Sequence, residues 1–180
     1  MSVEKKAIQV TLLLFDVDGV LTDGRVMLNS DGSESKQFHV RDGVAIVWAQ
    51  RVGLKVGLLS GRISSATTQR AAQLNIPLVV QGAESKLKAY EKILKENHLT
   101  DADVAYIGDD LIDLPVLYRA GLSAAPADAV LIVRKSVDWV STRPAGAGAV
   151  RELVELVLSA QGKWNVETLT DIPPKISKNE

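Results

Sequence analysis

Short apolar runs alternate along the chain with longer segments in which apolar residues recur at helical spacing. The runs at 10–15, 54–59, 78–80, 104–107 and 122–125 are rich in Leu, Ile and Val and predict strands, with 137–140 a weaker sixth. Between them, 84–97 sets Leu87, Tyr90, Ile93 and Leu94 on one helical face and Lys and Glu on the other. Asp42 is placed to cap a helix that stops at Gly53, and Ser64 or Ser65 to cap one reaching about Leu74. Near the end, Val150, Leu153, Val154, Val157 and Leu158 form a further apolar stripe. This strand–helix alternation predicts an α/β fold, a doubly wound parallel sheet covered by helices on both faces.

The segment 25–40, RVMLNSDGSESKQFHV, breaks the alternation. Two extended arms flank Asn29-Ser30-Asp31-Gly32, and Gly32 suits the left-handed backbone that such turns need, so a β-hairpin projecting from the main sheet is expected. With 180 residues the chain is long enough for one domain with a real core, expected over 1–163, followed by a flexible tail over 164–180 in which Trp164 can act as an anchor. The apolar stretch near the start is short, lacks a small-residue cleavage site and runs straight into Asp16, so it reads as a core strand and not as a signal peptide. No run approaches the length of a membrane span.

Charge and composition narrow the function. Lys and Arg number 21 against 22 Asp and Glu, and the resulting net charge of −1 argues against a nucleic-acid or membrane-surface protein while allowing a local basic pocket. The lack of cysteine excludes disulfides, thiol catalysis and thiolate metal sites, and it fits a reducing cytoplasm.

The candidate chemistry sits where predicted strands end, which is where open parallel sheets bind their ligands. Asp16 and Asp18 follow the first run, and Ser60, Gly61 and Arg62 the second. Gly108, Asp109 and Asp110 follow VAYI, with Asp113 just beyond, and Lys86 opens the helix after LVV. Asp16 and Asp109 are hard oxygen ligands suited to Mg²⁺. A carboxylate at this rim can also attack phosphorus to form an aspartyl phosphate, while Asp18 can protonate the leaving oxygen and later activate water. Ser60 and the Gly61 amide can hold phosphoryl oxygens, and Lys86 can neutralise them. Each motif alone is common on exposed turns; the ordered set is not. Arg41, Arg62 and Arg70 supply more guanidinium than one phosphate requires, which suits a small substrate carrying a carboxylate as well.

DVDGV at 16–20, Ser60, Lys86 and GDDLID at 108–113 match, in order, the four motifs of the haloacid dehalogenase superfamily of phosphotransferases, which the chain resembles over nearly its whole length. The resemblance implies a Rossmann-like fold, Asp16 as nucleophile and Asp18 as general acid/base. It also implies Mg²⁺ held by the side chains of Asp16 and Asp109 and the backbone carbonyl of Asp18, with Asp110 and Asp113 in support. An Asp and not a Thr at position 18 points to phosphatases and mutases.

FHVRDG at 38–43, LSGR at 59–62, AYIGDDLIDLPVL at 105–117 and GAGAVRE at 146–152 are similar to the cap-less subfamily that acts on 3-deoxy-D-manno-octulosonate 8-phosphate (KDO 8-phosphate). That resemblance implies no cap domain, a cytoplasmic homotetramer serving lipopolysaccharide synthesis in Gram-negative bacteria, and a sugar-acid phosphate as substrate. The substrate-contacting residues it implies are His39, Val40, Arg41, Asp42 and Gly43, with Asp18, Gly61, Arg62, Arg70 and Lys86. A sibling subfamily acts on nonulosonate 9-phosphates but tends to carry an acidic residue where Arg62 stands and to lack Arg41, so both arginines favour the octulosonate. Pro144-Ala145-Gly146 departs from a Gly pair common among relatives. Two rival classes fit less well. A receiver domain places its phosphorylated Asp after a central strand and its acidic pair after the first, and an inactive assembly domain would not need every motif residue intact. Val26, Leu28 and Phe38 of the hairpin exceed what an isolated ribbon can bury, so neighbouring hairpins are the expected partners and the expected cover of a cap-less site.

Overall fold

The fold is that of a computed structural model, and the structure describes residues 1–170. Its strands are β1 (Leu12–Phe15), β2 (Met27–Leu28), β3 (Glu34–Ser35), β4 (Lys55–Leu59), β5 (Leu78–Val80), β6 (Val104–Ile107), β7 (Leu122–Ala125) and β8 (Trp139–Val140). Its helices are α1 (Val3–Gln9), α2 (Val40–Arg51), α3 (Ser65–Gln73), α4 (Lys86–Asn97), α5 (Leu114–Leu117), α6 (Leu131–Ser136), α7 (Ala149–Ala160) and α8 (Val166–Leu169). Six strands make a parallel sheet in the order β5-β4-β1-β6-β7-β8, while β2 and β3 pair antiparallel as the separate hairpin. No cap domain is inserted among the described residues.

The central strand explains the layering. Successive side chains of β1 point to opposite faces. Leu13 and Phe15 join a core with residues of α1, α2 and α7, including Ala7, Ile46, Leu153 and Val157. Leu12 and Leu14 join a second core with Tyr90 and Ile93 of α4, Val116 of α5 and Val133 of α6. All four β1 residues are buried, which is why the run reads as continuously apolar. The register aligns the functional rim: Phe15 pairs with Leu58 on one side and Ile107 on the other, so Asp16, Ser60 and Asp109 leave the sheet at the same edge.

Several local expectations change. The N-terminal residues are not part of the strand: Ser2 caps α1 by accepting from the Lys5 amide, and Ala7 of that helix is buried, so β1 starts at Leu12. Asp42 does not cap α2. The N-cap is His39, and Asp42 lies inside the first turn, where its buried carboxylate accepts from the amides of Gly148 (3.3 Å) and Arg151 (2.8 Å) and thereby caps α7. The hairpin pairs only Met27 with Ser35 and Leu28 with Glu34, because the chain leaves strand geometry before His39 and enters a helix at Val40. Of the two candidate serines, Ser64 caps α3. In the tail, Trp164 packs edge-on to Trp48 with ring centroids 5.5 Å apart, and Leu169 is buried with its carbonyl accepting from Arg51 at 2.8 Å. The part of the expected flexible tail up to residue 170 is therefore packed on the sheet's helices, its apolar side chains drawing it down; 171–180 lie outside the described residues.

Candidate active site

The loop after β1 is tight. The Val17 carbonyl accepts from the amides of Leu21 (3.0 Å) and Thr22 (3.1 Å), turning the chain back on itself. Gly19, at φ +85°, sits so close to Asp109 that a Cβ would stand 2.1 Å from its Oδ2. Only glycine allows both the backbone and the approach. Gly146, at φ +61°, meets the same loop from the other side, donating to the Val20 carbonyl at 2.9 Å. The departure at Pro144-Ala145 thus spares Gly146, the glycine of that stretch that touches the site loop.

Asp16, Asp109 and Asp113 converge so that one oxygen from each lies within 4.8 Å of the others. Lys86 Nζ bridges Asp16 (2.9 Å) and Asp113 (2.6 Å), with all three side chains almost fully buried. Asp113 is saturated. Its Oδ1 accepts from Lys86 and from the Tyr106 hydroxyl (2.5 Å), and its Oδ2 from the amides of Asp109 (3.1 Å) and Asp110 (3.2 Å). It therefore orients Lys86 and the loop after β6, leaving Asp16 and Asp109 as the carboxylates with free lone pairs.

Crowded negative charge shows in the protonation equilibria. Burial, with the Asp113 charge, pushes Asp16 up to about 6 against the opposing pull of Lys86. Burial, with the charges of Asp16 and Asp113, pushes Asp109 up to about 7. Lys86 is raised despite the opposing effect of its burial, because both carboxylates favour its charged form. Burial and the Asp113 charge raise the Tyr106 phenol well above its usual value, so it donates as a neutral hydroxyl.

An open cavity of about 240 Å³ collects Asp16, Asp18, Ser60, Gly61, Arg62, Lys86, Asp109 and Asp110 along one rim, as their positions after the strands led one to expect. Ser60 is buried, and its Oγ accepts from the Arg62 amide at 3.2 Å. Two residues that the motifs did not single out join this set from the hairpin. Lys36 grips Asp18 at 2.7 and 2.9 Å, and Glu34 holds Arg62 at 2.8 Å. Their only mark in the sequence is alternating charge in an otherwise ordinary hairpin arm, ESK.

The second predicted group lies apart from this cavity within the chain. His39 and Arg41 line a cavity of about 450 Å³ with Arg143, Arg151 and Glu155. Val40 is exposed, Asp42 is engaged with α7, and Gly43 abuts the Arg70 guanidinium. Arg70 stacks over Phe38 at 5.7 Å and donates to the His39 carbonyl at 3.5 Å.

Residues 79–153 match the family model of haloacid dehalogenase-like hydrolases. The 3-deoxy-D-manno-octulosonate 8-phosphate phosphatase of Escherichia coli is 42% identical over 158 residues, 88% of this chain and 84% of that protein. The chain belongs to the haloacid dehalogenase-like hydrolases. Among structures in this family, the Moraxella catarrhalis 3-deoxy-D-manno-octulosonate 8-phosphate phosphatase, in complex with a magnesium ion, a phosphate ion and KDO, superposes with a TM-score of 0.91. It is 35% identical, and the match covers 94% of this chain and 98% of that one. The cobalt-bound Haemophilus influenzae phosphatase is 40% identical with a TM-score of 0.86, over 89% and 94% of the two chains. In this member of the family, the donor set fits a hard divalent cation. Asp16 and Asp109 face each other with raised proton affinity that Lys86 only partly offsets, a charge imbalance that Mg²⁺ relieves.

Proposed function

We propose that this chain is a Mg²⁺-dependent phosphatase that hydrolyses KDO 8-phosphate to the free sugar acid and inorganic phosphate through an aspartyl phosphate on Asp16. The observation that carries the reading is the rim cluster in which Lys86 joins Asp16 to the saturated Asp113 while Asp109 stands within 4.8 Å. Asp16 forms the new O–P bond as the bond to the sugar oxygen breaks, and Asp18 gives that oxygen its proton. Water then attacks phosphorus, its proton passes to Asp18, and the Asp16 carboxylate is released. Ser60, the Gly61 amide and Lys86 hold the phosphoryl oxygens throughout. Mg²⁺, held by the Asp16 and Asp109 side chains and the Asp18 carbonyl, would neutralise the charge of the transferring group.

The accessible members of the second group, His39, Val40 and Arg41 with Arg70, serve the sugar-acid end of a substrate at a subunit boundary in a cytoplasmic homotetramer, while the buried Asp42 and Gly43 hold that stretch against α7 and Arg70. Val26, Met27 and Leu28 support this assembly: the hairpin leaves them exposed, with Leu28 76% accessible, where a neighbouring hairpin can cover them. Sedimentation at micromolar concentration should give a tetramer; a fully active monomer would end that part of the reading.

The decisive experiment compares wild type with Asp16→Asn on KDO 8-phosphate in the presence of Mg²⁺. Turnover should fall by at least ~10³-fold, since the uncatalysed hydrolysis of phosphate monoesters is among the slowest known. Activity within about tenfold of wild type would refute the covalent route, a margin of only ~1.4 kcal/mol.

A further inference from the structure

Lys36 belongs to none of the motifs, yet among the described residues it makes the shortest side-chain contact with Asp18. Its Nζ stands 2.7 Å from Asp18 Oδ1 and 2.9 Å from Oδ2. The side chain is 1% exposed, and Glu34 Oε1, the next acceptor, is 3.7 Å away. Burying an ammonium costs free energy unless it is paired. Among the described residues the hydrogen bonds of Lys36 go to Asp18 alone. Lys36 is not among the residues that line the cavity holding Asp16, Asp18, Ser60 and Lys86, and it reaches that cavity through its contact with Asp18. Arg62 Nε flanks the same carboxylate at 3.6 Å but is half exposed and held by Glu34.

We infer that Lys36 is a positioning residue for the hydrolytic half of the reaction, fixing the Asp18 carboxylate in the orientation from which it takes a proton from water. The inference rests on the phosphatase mechanism proposed above. Both Asp18 oxygens accept from Lys36, which fixes the plane and rotamer of the carboxylate for its part in hydrolysis, whereas acid delivery needs one of these contacts to give way. In that half-reaction the water oxygen bonds to phosphorus and one water proton moves to Asp18. The P–O bond to Asp16 breaks with its electron pair returning to the Asp16 carboxylate. The proton now on Asp18 is the one delivered to the sugar oxygen in the next cycle, when one of the two Lys36 contacts gives way. A pinned carboxylate needs no reorganisation at the moment of attack; a free one samples rotamers that miss the water.

The test uses the Mg²⁺-loaded enzyme with p-nitrophenyl phosphate, whose leaving group departs without an acid. Lys36→Met should release about one p-nitrophenolate per active site in a rapid burst, then turn over ~10²-fold more slowly than wild type, the range general-base assistance supplies. KM should not rise, and KDO 8-phosphate should show the same slow rate, because the limiting intermediate is shared. In an Asp18→Asn background, Lys36→Met should cause no further loss. A loss without a burst, a raised KM with kcat kept, or an additive loss in the Asp18→Asn background would each overturn the inference. Unchanged kinetics would do the same. If Lys36→Met fails to fold, Lys36→Gln, which keeps a donor and most of the volume, reads the same two rates. Asp16→Asn separates the two levels: if it keeps turnover, the aspartyl-phosphate mechanism itself fails. If it is inactive while Lys36→Met shows no burst, only the role of Lys36 fails.

Discussion

Asp113 makes no contact with the cavity, yet its substitution should be among the most damaging in the chain. It is 0% exposed and accepts four hydrogen bonds, two on each oxygen. Asp113→Asn keeps the shape but replaces one oxygen by a donor. If the amide nitrogen faces the loop after β6, the Asp109 and Asp110 amides lose their acceptor; if it faces inward, Lys86 and Tyr106 do. Each buried group left without a partner costs ~1–3 kcal/mol. Removing one charge of a buried pair costs ~3–5 kcal/mol, of which the surviving Asp16 contact to Lys86 recovers a part. These costs overlap, so the expected loss is ~3 kcal/mol, a large share of a typical total of ~5–15 kcal/mol. Urea unfolding of the metal-free protein measures it as a lower midpoint at unchanged slope. Turnover should fall as well, because Lys86 is no longer held from both sides. A loss below ~1 kcal/mol with activity kept would show that Asp113 is not the brace of Lys86, since that is less than one unsatisfied buried group.

Three further outcomes follow from the structure. Asp109, raised to about 7, and Asp16, raised to about 6, bind protons more tightly in the folded chain than their usual 3.8, so each favours folding below that value. That contribution fades as pH rises through 6 and 7, and the metal-free protein should lose stability between pH 4 and pH 8. Mg²⁺ competes with those protons, so the rise in Tm on adding it should be larger at pH 8 than at pH 6 in a melting series; an equal rise at both would place the metal elsewhere. Asp42→Asn retains only one oxygen for the two α7 amides that Asp42 now satisfies, at 2.8 and 3.3 Å. Thermal unfolding should register a loss of ~1–2 kcal/mol, the worth of a good helix cap, and no change would mean that solvent replaces it.

The strands, their order along the chain and the rim residues were legible because their signals are local. An apolar run such as 104–107 followed at once by Gly108-Asp109 states both a buried strand and a polar end, and Ser64 caps the helix that follows it. Asp16, Asp18, Ser60, Lys86 and Asp109 could therefore be named as a set before their convergence was visible. The partners of those residues were not legible, because pairing between segments distant in the chain leaves no periodic trace. Asp42 looks like the start of its own helix and instead caps α7, whose first amides lie over a hundred residues away in sequence. Asp113 reads from GDDLID as a supporting acid, and only the fold, by burying it against Tyr106 and Lys86, shows what it braces. Lys36 reads as a solvated charge on a short hairpin. The fold brings its ammonium onto Asp18 beside the short Met27–Ser35 and Leu28–Glu34 ribbon, which has too little paired surface to be stable alone and is tied down by such contacts.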